Sequence, residues 1–305
     1  MSPVLLFAAT CVQLADRLTA ELEEAAIKGT VMKLKEILKS ILSDHEMELL
    51  VRAYDVIGDI VIMTIPKELE KKEHQIASAI LANNSKVKVV TKRAAYYGGE
   101  FRSRPVKVIG GEVRKETEAR EFGIRLQLNV ETVYFSVRTG NERRRIASLV
   151  KPEEKVMVLF SGIGPYPLMI SKFSEAKEII GVEKNPTAHD YGMLNLGLNK
   201  KLNNITLVQG DVRNVLPRYA AEFNRIVMPL PKSAGSFIEL ALGVLQPGGF
   251  LHYYEMNHKD SLSDPVSKLR AACKKAGRSL LKAEVAVCGH CGPRTFRICI
   301  DAQIG

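Results

Sequence analysis

The 305-residue chain has no uninterrupted apolar run that approaches the ~18–20 residues of a membrane span. Cysteine is sparse: five residues, an odd and scattered set, which argues against a disulfide framework and for a reducing, cytoplasmic setting. The apolar start, MSPVLLFAATCVQLA, lacks a basic leader and reads as the start of a buried helix rather than a signal peptide. No internal repeat and no low-complexity segment interrupts the chain. Acidic residues are also short, 34 against 44 Lys and Arg, for a net charge of +10. That surplus invites a polyanionic partner, and its distribution is uneven. Residues 1–50 carry five basic side chains against eight acidic ones, whereas residues 92–145 carry thirteen against seven. With 46% hydrophobic and 26% charged residues, what remains is a globular chain of about two domains.

Residues 13–42 read as helix, with Val31, Leu34, Leu38 and Ile41 at helical spacing as a packing stripe. DIVIMTI (59–65) and KVKVVTK (86–92) read as strands, and the segment between them as a helix with Pro66 near its start. Residues 124–137 alternate as a half-buried strand or hairpin does. From residue 141 the pattern changes. A short basic helix, ERRRIASLV, is followed by strand-like runs alternating with helical ones: VMVLF, EIIGVE, ITLVQG, RIVMPL, GFLHYYE, LLKAEVAV and TFRICIDAQI. Alternation of this kind predicts an α/β fold with a doubly wound parallel sheet. Only CGHCGPR separates the last two runs, too little for a crossover helix, so the final pair should be an antiparallel hairpin.

VLFSGIGPY (158–166) is a strand that breaks into glycines, which let a ligand approach the backbone beside a helix N-terminus. Gly162 and Gly164 fit the start of a dinucleotide fingerprint, but Pro167 stands where its third glycine would be. Glu183 ends the second strand, at ribose-binding distance along the chain, and Asp211 ends the third, where a carboxylate can accept from an adenine amino group. Each acid alone reads equally well as a solvated strand end. Together they suit an adenosine ligand without a phosphate demand, which favours S-adenosylmethionine over NAD. The expected cofactor site comprises Phe160, Gly162, Gly164, Glu183, Lys184, Asp211, Val212 beside the adenine, and Leu230 near the methionine arm. Of Tyr134 and Phe135, both read as core on a strand, one is placed to flank the cofactor.

The segments AYDVIGDIVIMTIP, TEAREFG, VYFSVRTGNERRRIASLV, LFSGIGPY, VEKNPTAHDYGMLNLGLNK and GGFLHYYE resemble the archaeal and eukaryotic tRNA (guanine-N1)-methyltransferases that modify the guanosine 3′ of the anticodon. The resemblance runs from about residue 50 to the end, and the fold and middle domain are shared with the wybutosine-pathway aminocarboxypropyl transferases. It implies a class I methyltransferase sheet (136–305) preceded by a basic α+β RNA-orienting domain (49–135) and an N-terminal helical segment (1–48). It further implies Glu142 as the general base at N1 and Arg120 as the group that stabilises O6. Read without the resemblance, Glu142 is a helix N-terminal acid favoured by the dipole, and Arg120 a surface charge or phosphate contact. Arg138, Arg143, Arg144 and Arg145 suit phosphates around an unstacked nucleotide, with a solvated helix face as the rival reading. The expected partner is the anticodon stem-loop of tRNA, with no membrane and no DNA. Nothing fixes the oligomeric state beyond a presumption of monomer.

Three departures from the family pattern bear on the activity. Met228-Pro229-Leu230-Pro231 replaces the Asn or Asp before Leu-Pro that methyl-transferring members usually carry, and proline has neither an N–H nor a polar side chain. Val158 stands where the first strand often bears an acid. Residues 1–50 look helical and slightly acidic, unlike a strand-rich module that grips tRNA. The rival activities are therefore aminocarboxypropyl transfer or carbon methylation on a wyosine precursor, and non-catalytic RNA binding. Cys288 and Cys291, with His290 between them, form a single C-x-x-C that reads as a hairpin with incidental thiols; no metal is expected.

Overall fold

The computed structural model describes residues 34–95, 98–101, 103–230, 234–258, 265–292 and 294–305. Of the helix expected over 13–42, residues 13–33 lie outside them. The rest forms α1 (Leu34–Leu38), and a second helix, α2 (Asp44–Leu49), follows. Ser43 starts α2 with a capping box: its hydroxyl accepts from Glu46 N, and the Glu46 carboxylate accepts from Ser43 N.

A small mixed sheet comes next, built from β1 (Asp55–Ile57), β2 (Ile60–Met63), β3 (Val89–Arg93) and β4 (Val106–Gly111) in that order. β2 and β3 are parallel because α3 (Glu73–Asn83) crosses between them; the other pairs are antiparallel. Ile76 and Ile80 of α3 pack on Val61, Met63, Val90 and Ile109, and Leu34, Leu38, Met47 and Leu50 enter the same cluster. The described N-terminal helices thus share the core of the small sheet.

β5 (Glu116–Glu121) and β6 (Ile124–Asn129) form a separate antiparallel hairpin. Its two-residue turn puts Phe122 and Gly123 at φ 48° and 75°, the left-handed geometry that matches strand twist. Ala119, Ile124, Leu126 and Leu128 form its inner face and join the core of the larger domain.

That domain begins with α4 (Gly140–Leu149) and runs through β7 (Lys155–Leu159), α5 (Pro165–Phe173), β8 (Glu178–Glu183), α6 (Pro186–Leu198), β9 (Ile205–Gln209), α7 (Val212–Val215), β10 (Phe223–Met228), α8 (Ile238–Val244), β11 (Leu245–His258), α9 (Pro265–Lys275), β12 (Leu280–Gly292) and β13 (Thr295–Ile304). The seven strands lie in the order β12-β13-β11-β10-β7-β8-β9. β7 to β11 are mutually parallel, and β13 is antiparallel between β11 and β12, as the short link required. β12 runs on through Gly292, so CGHCG is strand rather than turn. Hydrophobic clusters cover both faces of the sheet, as its near-continuous apolar strands demand. The strand order reverses between β7 and β10, and a crevice opens at the carboxyl ends of strands at such a switch point. Among the described residues no helix is long and apolar enough to cross a membrane.

One charged group sits in the middle of this sheet. Arg225 on β10 is 2% exposed. Its guanidinium donates to both oxygens of Glu154 at 2.7 and 3.0 Å, and Nη1 lies 2.6 Å from His252 Nε2 on β11. Glu154→Ala would leave that cation buried without its carboxylate, and the expected cost is about 3–5 kcal/mol. Urea denaturation measures it. A loss below about 1 kcal/mol, the scale of an exposed ion pair, would mean that water already compensates Arg225.

Candidate active site

The crevice at the switch point is a cleft of about 480 Å³. Phe160 follows β7 with φ at 58°, a left-handed conformation that an aromatic residue rarely adopts, and its ring meets Phe237 edge-on at 5.0 Å. The turn passes the chain through Gly162 and Gly164, at φ 57° and 86°, and Gly164 caps α5 with Pro165 in its first turn. Glu183, at the end of β8, faces this loop. One carboxylate oxygen accepts from Gly162 N and the other from Asn185 N, both at 2.7 Å. Burial pushes its carboxyl pKa up, against the pull of these backbone donors. Asp211 caps α7 by accepting from Arg213 N at 2.9 Å. Hydrogen bonds from Arg213, and after them Lys184, hold its carboxyl well below the usual range.

All the residues expected at the cofactor except Gly164 line this one cleft. Gly164 turns the chain into α5 behind the wall. Val212, Leu230 and Phe237 supply apolar surface. Leu230 N donates to Met228 O at 2.8 Å, so Pro229 sits at the bend of a three-residue turn. Val158 is fully buried in β7 and is no part of the wall. Tyr134 is on the wall, whereas Phe135 is core under the Arg143 guanidinium. Gly99, Glu100 and Phe101, to which no motif pointed, reach the cleft from the small domain. Glu100 pairs with Lys184 Nζ at 2.6 Å, and Lys184 also meets Asp211 at 2.9 Å.

The donor set fits the adenosine and sulfonium of S-adenosylmethionine. Carboxylates end two neighbouring strands, apolar walls lie between, and the nearby cations Lys184 and Arg213 are already paired with acids rather than offered to phosphates. Beside Gly162, Ser161 Oγ is buried without a hydrogen-bond partner among the described residues, a polar atom that a ligand can satisfy.

The expected catalytic pair is arranged differently. Glu142 is 7% exposed in the first turn of α4 and is not on the cleft wall. Arg145 donates to both its oxygens at 2.7 and 2.8 Å, and the buried Tyr254 hydroxyl donates to Oε1. Arg120 lies on the outer face of β5, 73% exposed, 3.4 Å from Glu118. Glu121, on the inner face of the same strand, reaches α4 instead. Arg120 and Glu142 are therefore not brought into contact.

Two of the expected phosphate contacts are corrected. Arg143 is 3% exposed. It is committed to Glu121, to Thr139 Oγ1 at 2.6 Å and to Ser136 O at 2.9 Å. It fastens the β5–β6 hairpin to α4 with four of its five N–H donors, and its burial keeps it from phosphates. Arg145 is forked between Glu142 and Asp301 of β13, 2.6 Å from the latter. Arg144 stacks on Phe173, and Arg138 is exposed and pairs with Asp55 at 2.7 Å. His252, Cys299 and Asp301 bring one donor atom each within 4.8 Å of one another, a spacing compatible with a metal. Arg225 and Arg145 already occupy His252 and Asp301, so the trio serves the ion pairs.

Comparison with known proteins matches residues 117–281 to the TRM5/TYW2 methyltransferase domain and residues 34–114 to the TYW2 N-terminal domain. The tRNA (guanine(37)-N(1))-methyltransferase Trm5b of Pyrococcus abyssi is 34% identical over 253 residues, covering 83% of this chain and 74% of that one. A tRNA(Phe) (4-demethylwyosine(37)-C(7)) aminocarboxypropyltransferase of Methanocaldococcus jannaschii is 31% identical over 82% of this chain and 97% of its own. The solved complex of aTrm5 with tRNALeu superposes with a TM-score of 0.77 at 33% identity, over 90% of this chain and 80% of that one.

Glu183→Gln and Asp211→Asn are each expected to weaken S-adenosylmethionine binding about 10- to 100-fold, the loss of a charge-assisted hydrogen bond. Isothermal calorimetry reads this directly. Affinity unchanged in both variants would remove the two acids from the site.

Proposed function

Because this chain belongs to the TRM5/TYW2 methyltransferase family, whose cofactor is S-adenosylmethionine, we propose that it methylates N1 of the guanosine 3′ of the anticodon in tRNA. The relatives that carry this activity by name motivate the choice of substrate. The observation that carries the reading is Glu142: a nearly buried carboxylate with its geometry fixed by Arg145 and Tyr254, within the segment that resembles the family's base-bearing motif.

Guanine N1 carries a proton that must leave as N1 attacks a methyl group, and negative charge then develops on O6. The cofactor supplies that electrophilic methyl. Glu142 accepts the N1 proton. Arg120, exposed and paired among the described residues with Glu118, can meet an incoming base and offset the charge on O6. Glu183 holds the ribose hydroxyls and Asp211 the adenine amino group. Arg138 and Arg144 are the basic side chains of this region left for the phosphates. A base in an anticodon loop can be unstacked and presented to them at modest cost.

A second reading has its own support. Residues 34–114 match the TYW2 N-terminal domain, and Pro229 replaces the polar residue usual in methyl-transferring members. On that reading the aminocarboxypropyl arm is transferred to a wyosine precursor.

Unmodified tRNA transcript and tRNA that already carries the wyosine precursor separate the two when each is incubated with cofactor labelled on the methyl or on the carboxyl carbon. Methyl label that disappears when the guanosine is changed is the expected result; carboxyl label in RNA transfers the assignment to the second reading. Glu142→Gln should slow single-turnover methylation by about 10²- to 10⁴-fold with little change in cofactor affinity. A wild-type rate in that variant would remove Glu142 as the base.

A further inference from the structure

We infer that Asp301, on the last strand, is a positioning residue for Glu142: by sharing Arg145, it keeps Glu142 from being fully neutralised by that guanidinium and so leaves it able to take a proton. The inference rests on the reading of Glu142 as the base.

The geometry is a fork. Arg145 Nε and Nη2 donate to Glu142 at 2.7 and 2.8 Å, while Nη1 and Nη2 donate to Asp301 at 2.6 and 3.3 Å. One cation therefore serves two carboxylates that come from residues 159 apart in sequence, on α4 and β13 (301 − 142). Asp301 is itself held from behind. Its Oδ1 lies 2.5 Å from His252 Nδ1 and accepts from Cys299 Sγ at 3.2 Å. The protonation of His252 follows from its other side. An arginine can only donate, so His252 Nε2, 2.6 Å from Arg225 Nη1, must be the acceptor, and the single proton of a neutral ring is on Nδ1, pointing at Asp301. Burial, with the Arg225 and Arg145 cations, keeps this imidazole neutral, although Asp301 pulls the other way.

The charge count then has one outcome. The chain Glu154, Arg225, His252, Asp301, Arg145, Glu142 contains three carboxylates and two guanidiniums, a net charge of −1. Glu154 and Arg225 neutralise each other, so the surplus falls on the pair that shares Arg145. The other groups facing Glu142 do not cancel it. Tyr254 of β11 and Tyr166 of α5 are neutral hydroxyls whose pKa burial raises. Cys299 of β13 is a buried thiol, with Cys288 of β12 beside it, and Arg143 of α4 is matched by Glu121. A proton transferred to Glu142 takes the chain from −1 to neutral, so the arrangement favours acceptance.

The test compares Asp301→Asn, His252→Gln, Glu142→Gln and the double variant Asp301→Asn/Glu142→Gln, with wild type, in single-turnover methylation from acid to neutral pH. With Asp301 neutral, Arg145 commits to Glu142. The rate should fall about tenfold, cofactor affinity should hold, and the acid limb should move to lower pH by about one unit. His252→Gln keeps an acceptor for Arg225 but no longer fixes an N–H at the Nδ1 position that faces Asp301. It should move the limb the other way, and it covers the case in which Asp301→Asn folds poorly. In the Glu142→Gln background Asp301→Asn should add nothing. Independently of activity, the guanidinium ¹⁵N resonance of Arg145, assigned with Arg145→Lys, should shift in Asp301→Asn. Unmoved acid limbs, additive losses in the double variant or an unmoved Arg145 resonance would each overturn the inference while leaving Glu142 as base. A wild-type rate in Glu142→Gln would instead overturn the parent reading and this inference with it.

Discussion

The interaction on which the rest of the domain depends is the line of buried and half-buried polar groups that crosses the sheet. It starts at Glu154, passes through Arg225 on β10, His252 on β11 and Asp301 on β13, and leaves the sheet through Arg145 to reach Glu142 on α4. Three adjacent strands and the helix packed on them are thereby fixed in register by directional contacts, which apolar packing alone cannot supply. Net stabilisation from such a network is small, because taking the charges out of water offsets much of their attraction. What it gives is geometry, since no member can leave without stranding its neighbour. Glu142 is the last carboxylate on that line, and Tyr254 and Tyr166 close it with hydroxyls.

The same economy explains why the cleft and the line of charges are separate structures. The cleft is made of strand ends, loop backbone and apolar walls, and its acids are satisfied locally: Glu183 by two backbone amides, Asp211 by the helix it caps and by its neighbours. The line of charges is satisfied over long sequence distances and sits under the α4 and α5 face. A bound nucleoside therefore faces groups already in place, which limits the reorganisation that chemistry would otherwise require.

That difference also decides what could be read from the sequence. Glu183, Asp211 and the Gly162–Gly164 loop sit at strand ends, and strand ends are legible from alternation of apolar and turn residues, so this part of the cleft lining could be named in advance. The parallel sheet and its antiparallel closing pair were foreseen for the same reason. Two of three consecutive arginines were misread because successive helical residues point about 100° apart. Arg143 turns inward to Glu121, Arg144 lies over Phe173, and Arg145 faces β13, 156 residues away. No local pattern announces partners at such separations. β5 escaped notice because its outer face is charged and only Thr117 and Ala119 are buried within it. The loop at Gly99–Phe101 has no periodicity at all, and only the folded chain brings it to the cleft.

That loop has a thermodynamic consequence. Glu100 belongs to the small basic domain, yet its carboxylate meets Lys184, which in turn holds Asp211 on the cofactor wall. One ion pair therefore joins the small domain to the wall of the cleft. Free energies around a closed cycle must sum to zero, so if RNA tightens this contact and with it the cofactor's affinity, the cofactor tightens RNA by the same factor. The two ligands are then joint occupants of one equilibrium, and the order in which they arrive is a matter of rates alone.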